Sequence, residues 1–127
     1  MIIGIGIDMV KVGKMQSAIE KLGKDFLKRV FNEKELKNIS DGKMYYQRLA
    51  ARFAAKEAII KAISKEYPLA LNEIIILNRK NGAPYCEFKK KLDVDILLSI
   101  SHIEDYAVAC AVAQRNSTKS KAKNEKL

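Results

Sequence analysis

Residues 43–66, KMYYQRLAARFAAKEAIIKAISKE, decide the fold: rich in alanine and free of glycine and proline, they predict one long central helix that Pro68 terminates. With Arg52 set at 0° and about 100° per residue, Lys56 falls near 40°, Glu57 near 140° and Lys61 near 180°. Leu49, Phe53 and Ile60 lie between them, and Ala51, Ala54, Ala55, Ala58 and Ala62 fill most of the remainder. A helix apolar almost all round is a buried helix, so some of these charges need partners inside a closed environment.

Before this helix, Ile2–Val10 alternates and is β-branched, which predicts a buried first strand. Gly4 and Gly6 mark a close approach of another backbone or a ligand, and Asp8 is read as the strand's end. From about residue 11 to Val30, Val12, Met15, Ile19, Leu22, Phe26 and Val30 share one helical side, opposite Lys14, Lys21, Lys24 and Lys28. Gly23 is expected to break that segment in two. Asn32 is expected to cap a short third helix, with Glu35 as its capping-box partner.

After the central helix, EIIILNRK and APYCEF flank Asn81-Gly82, a dipeptide favoured in type I′ turns, and predict a hairpin. ILLSIS and YAVACAVA, separated by His102 and the turn-like IED, predict a second. The fold class is therefore α+β: an N-terminal strand and helices packed on an antiparallel sheet of late hairpins. One domain over residues 1–114 is expected, followed by a basic, frayed tail over 115–127.

The chain has 127 residues, 48% of them hydrophobic, enough for a core of its own. Cys86 and Cys110 lack metal-site spacing and read as buried reduced thiols. The apolar MIIGIGIDMV start has no basic leader and carries Asp8, and no run approaches the ~20 apolar residues of a membrane span. A soluble cytoplasmic protein with no membrane association is the expectation. The formal charge of +9 draws polyanions without choosing among nucleic acid, anionic lipid, nucleotide-like phosphates and acidic proteins.

Taken singly, the chemical residues have ordinary readings. Glu57 and Lys61 at i and i+4 match a helical ion pair worth about 0.2–0.5 kcal/mol. Asp8 matches a turn or cap residue, and His102 a hydrogen-bonded loop histidine. A small basic nucleic-acid module is a second class that the charge allows. It lacks a recognisable RNA motif, and Tyr45, Tyr46 and Phe53 sit at helical spacing rather than on a stacking sheet. A structural trimer without activity is a third reading, disfavoured by the pair of acids.

Together, GIGID, RFAAKEAIIKA and SISHIEDYAVA resemble, in order and spacing, the three signature regions of holo-acyl-carrier-protein synthases, the small phosphopantetheinyl transferases. The resemblance spans residues 2 to about 113. It implies transfer of 4′-phosphopantetheine from coenzyme A to a serine of an apo acyl carrier protein, in support of fatty acid biosynthesis. It further implies that Asp8 and Glu57 hold Mg²⁺, an ion that suits one or two carboxylates plus substrate phosphates. Lys61 is then the catalytic lysine beside Glu57. Arg52 and His102 become ligands of the coenzyme A 3′-phosphate end, with Lys56 nearby and Pro84 beside the adenine. The general base stays open among Glu57, a water near the metal and a group of the carrier protein.

By the same resemblance, the acidic carrier docks on Lys14, Lys21, Lys24, Lys28 and Arg29, and the protein is a homotrimer whose sites are shared between neighbours. No nucleic acid is expected as a partner. One departure stands out: ISKEYPLALNE, after the central helix, has no glycine where relatives often carry a glycine-rich loop.

Overall fold

The computed structural model describes residues 1–116. The elements run β1 (Ile2–Lys11), α1 (Val12–Val30), α2 (Glu33–Lys37), α3 (Tyr45–Ile63), a 3-10 turn (Leu71–Glu73), β2 (Ile74–Asn78), β3 (Pro84–Phe88), β4 (Val94–His102) and β5 (Tyr106–Arg115). The class is α+β, as the sequence implies. β1, however, does not pack on the late sheet from outside but joins it. The order is β1-β5-β4, antiparallel throughout, while β2 and β3 form a separate two-stranded sheet.

α3 lies along one face of the larger sheet, and small side chains set how close it comes. Ala107, Ala109, Ala111 and Ala113 of β5 point inward, against Ala54, Ala55 and Ala58 of α3, all buried. At Gly4 and Gly6 a Cβ would stand 1.8 Å from the Ala62 carbonyl oxygen and 1.9 Å from that of Ala58. Even alanine there would drive the strand off the helix, so the two glycines fix the contact between β1 and α3.

Several sequence expectations need correction. β1 continues past Asp8, which pairs with Ala109 well inside the strand. Its inward position on the pleat, not a strand end, aims it at α3. Gly23 does break α1, with φ 61° and ψ −141°, and Leu22 beside that break is exposed rather than buried. The β2–β3 connection is not a type I′ turn, which requires positive φ at both central residues; Gly82 has φ 90°, but among the described residues no non-glycine residue has positive φ. Asn81 instead accepts from the Ala83 amide at 3.0 Å, and Asn78 donates to the Gly82 carbonyl at 3.0 Å. His102 is the last residue of β4, not part of the turn.

Arg115, counted with the tail from its sequence, closes β5 and pairs with Glu66 at 3.4 Å and Asp93 at 3.6 Å. The Asn116 amide donates to the Asp93 carbonyl at 3.0 Å, and the tail from 117 to 127 lies outside the described residues. Cys86 and Cys110 are both free and half-buried, and burial pushes the Cys86 thiol up to about 12. No helix among the described residues is long and apolar enough to cross a membrane.

Candidate active site

The sheet presents Asp8 on β1 and His102 on β4 on the face that α3 covers. β5 runs between them, so at about 4.8 Å per strand spacing they stand at opposite edges. α3 divides the two edges. Its Arg52 turns toward the β4 side and its Glu57 toward the β1 side, as the helical angles require. Two cavities result.

The first, of about 610 Å³, is lined by Asp8, Lys14, Met15, Phe26, Phe53, Glu57 and Tyr106. Burial holds the Glu57 carboxyl above its ordinary range, the negative charge of Asp8 pushes it further up, and Lys61 opposes both. Lys61 does not form the helical pair with Glu57 that spacing alone suggested. Its ammonium donates to the Ile7 carbonyl at 2.9 Å and to Asp8 Oδ1 at 3.2 Å, with the side chain 54% exposed. Two carboxylates face one space that Lys11 and Lys14 also line, and Lys61 is bonded to one of them; such a pair fits a hard divalent ion. Mg²⁺ is typically held by one or two carboxylates, with phosphates and water completing its coordination.

The second cavity, of about 700 Å³, brings together Arg52, Pro84 and His102 with Lys34, Arg48 and Asn78. Arg52 Nη2 donates to Asn78 Oδ1 at 3.1 Å and Nη1 to the Arg48 carbonyl at 3.5 Å, while its buried Nε has no partner. Burial lowers the Arg52 pKa, and the charge of Glu35 partly restores it. A forked cation with a spare donor in a basic hollow is suited to an anion. Tyr85 also lines this hollow, under the Arg79 guanidinium at 4.6 Å from its ring centre.

Lys56 belongs to neither cavity, which corrects its assignment to coenzyme A. It has no exposed surface, and its ammonium donates to the carbonyls of Val30, Leu71 and Ile74 at 2.8, 2.9 and 2.7 Å and to Glu35 Oε1 at 2.5 Å. Glu35 is indeed the capping-box partner of Asn32, yet it is also this buried counter-ion. The signal was available in the sequence: a charge on an alanine-rich buried helix demands an acid, and Glu35 precedes it.

The glycine-free segment after α3 is anchored through Tyr67, whose hydroxyl donates to Asp93 Oδ1 and accepts from Arg115 Nη1 at 3.4 Å. Sequence reasoning gave Tyr67 no role. Lys14, Lys21, Lys24, Lys28 and Arg29 are all exposed along α1. Lys14 also borders the cavity of Asp8 and Glu57.

The model of the 4′-phosphopantetheinyl transferase superfamily matches residues 4–111. The chain belongs to that family. A holo-[acyl-carrier-protein] synthase of Clostridium tetani is 41% identical over 123 residues, covering 90% of this chain and 97% of the relative. One of Thermodesulfovibrio yellowstonii is 42% identical over 115 residues, covering 88% and 98%. Among solved structures, a holo-(acyl-carrier-protein) synthase of Bacillus anthracis in complex with CoA (3′,5′-ADP) superposes with a TM-score of 0.79 at 31% identity, covering 91% of this chain and 98% of the other.

Proposed function

We propose that the chain transfers 4′-phosphopantetheine from coenzyme A to a serine of an apo acyl carrier protein, through a site assembled from the two cavities of neighbouring copies. The serine oxygen bonds to the β-phosphorus of coenzyme A, the bond to the leaving adenosine 3′,5′-bisphosphate breaks, and the hydroxyl proton passes to a base. The observation that carries this reading is that Asp8 and Glu57, from a strand and a helix, face one cavity while Lys61 is bonded to Asp8, in a member of this family.

Asp8 and Glu57 would hold Mg²⁺, which when bound supplies a Lewis acid that neutralises pyrophosphate charge. Lys61, half in solvent, is free to leave Asp8 for a phosphate oxygen, and so to stabilise the charge that spreads in the transition state. Arg52 and His102 bind the 3′-phosphate end, with Pro84 beside the base. Positioning by these side chains supplies the rest of the acceleration.

A homotrimer is supported by the uncovered face of the large sheet. Ile5, Ile7, Met9 and Leu97 are 67%, 62%, 65% and 56% exposed, on the side away from α3, flanking Val108, Cys110 and Val112 of β5. A contiguous apolar face of that kind marks an association surface. Joining copies there would allow the β1 edge of one to meet the β4 edge of the next, which closes the gap between the two cavities.

The test is the mass of an apo acyl carrier protein incubated with the chain, coenzyme A and Mg²⁺. A gain of one phosphopantetheine is expected; an unchanged mass, with carrier and enzyme both folded, would reject the transfer. The basic face of α1 gives a second expectation. Lys21→Glu with Lys24→Glu should lower kcat/KM for the carrier about ten-fold or more at low salt, with the deficit shrinking as salt rises and kcat at saturation little changed. Equal kcat/KM at low salt would move the docking surface elsewhere.

A further inference from the structure

The Lys56–Glu35 pair gathers more of the chain than any other polar contact among the described residues. Lys56 holds the carbonyl of Val30 at the end of α1, that of Leu71 in the 3-10 turn and that of Ile74 at the start of β2. Glu35 takes the Asn32 amide on Oε1 at 2.9 Å and the Ile76 amide on Oε2 at 3.0 Å. Four other segments therefore converge on one point of α3. Phe31 closes it from outside, its ring centre 5.2 Å from the ammonium.

That point sits between two functional residues. Arg52 lies one helical turn before Lys56, and Glu57 directly follows it. From Ile74 and Ile76, β2 runs on to Asn78, which accepts from Arg52, and the β2–β3 hairpin then supplies Gly82, Pro84 and Tyr85 to the basic cavity. The cavity's two walls, α3 and the hairpin, are thus joined at their root by Lys56 and Glu35. Apolar side chains of the same volume could fill the space at equal or better stability. They could not hold backbone groups of four other segments in fixed directions.

We propose that Lys56 and Glu35 are positioning residues for the nucleotide cavity: by fixing the β2–β3 hairpin against α3 they set the spacing between Arg52 and the opposite wall, and with it the selection for a 3′-phosphorylated nucleotide. This rests on the reading that the cavity receives the 3′-phosphate end of coenzyme A. Neither residue touches the substrate; both act through Arg52, Asn78 and the hairpin.

The experiment compares wild type, Lys56→Met, Glu35→Gln and Ile59→Val, the last a buried residue of the same helix outside this cluster. Steady-state parameters for coenzyme A and 3′-dephospho-coenzyme A are measured well below each thermal midpoint, with folding verified by circular dichroism. Wild type should prefer coenzyme A. Lys56→Met and Glu35→Gln should raise KM for coenzyme A about ten-fold or more, as misplaced binding groups do. KM for the dephospho analogue should rise less, kcat should change less than KM, and selectivity should therefore contract. Ile59→Val should lower the thermal midpoint with selectivity intact.

Folded Lys56→Met or Glu35→Gln with wild-type selectivity would overturn the proposal and leave the pair a purely structural one. Contraction of equal size in Ile59→Val would overturn it too, because selectivity would then follow stability. Should Lys56→Met not fold, Glu35→Gln, which keeps the side-chain volume and the lysine, decides. A wild type indifferent to the 3′-phosphate would instead refute the cavity's assignment, and this inference with it.

Discussion

Asp8→Ala and Glu57→Ala should each abolish phosphopantetheine transfer while leaving a folded protein. The two carboxylates hold the charge that a divalent cation would neutralise, and such a cation supplies several kcal/mol to a phosphoryl transition state. At about 1.4 kcal/mol per decade, kcat/KM should fall on the order of a thousand-fold or more in either variant. Stability should move the other way in the metal-free protein. Glu57 is pushed above its ordinary value near 4.5 by burial and then by Asp8. A carboxyl so raised binds more protons folded than unfolded, so its contribution is full below the ordinary value and is lost as pH rises through the raised one. The midpoint of Glu57→Gln relative to wild type should therefore increase across that window. Transfer at the wild-type rate in either alanine variant would remove these residues from the chemistry.

The second large effect concerns assembly. Asp8→Ala disables one cavity, and Arg52→Ala with His102→Ala disables the other, so each protein should be silent at low coenzyme A concentration. Co-expressed, they should regain activity. If three copies assemble at random and each site takes one cavity from each of two neighbours, about a quarter of the sites are intact, and activity should return to about that fraction. A site contained within one chain would give none. Complementation is thus read against zero, and persistent silence of co-assembled trimers would contradict the shared site.

Much of this arrangement was legible in the residues. The alanine-rich run 43–66 contains α3, Tyr45–Ile63, and its helical angles already set Arg52 and Glu57 on different sides. The division into two cavities follows from that once the sheet order is known. Gly4 and Gly6 were read correctly as a close approach, because a strand that carries glycine among isoleucines must leave room for something. What the sequence hid depends on pairing across distance. By position alone Asp8 looked like a strand end because an acid inside a buried strand is uncommon; the inward pleat and the bond to Lys61 are what place it against α3. Lys56 was placed near coenzyme A by the resemblance alone. Its burial depends on Glu35, Val30, Leu71 and Ile74 arriving from four other segments. The hairpin turn was misread for a related reason: Asn81 satisfies the Ala83 amide with its side chain, so the backbone needs no positive φ there.

The resemblance of the three signature segments brought Asp8, Glu57 and Lys61 together before any coordinates did. It could not separate Lys56 from them, since a motif records neighbours in the chain and says nothing about which of them is enclosed. Tyr67 had no motif at all. Its hydroxyl meets Asp93 and Arg115 from segments that the sequence does not place beside it.

The most direct measurement is the electron paramagnetic resonance of Mn²⁺ titrated into the protein with coenzyme A present. Wild type should suppress the free-ion signal, and Asp8→Asn and Glu57→Gln should each restore it at the same concentrations. Undiminished Mn²⁺ binding by both variants would show that the ion, if the protein holds one, is held by other groups, and the site described above would lose its centre.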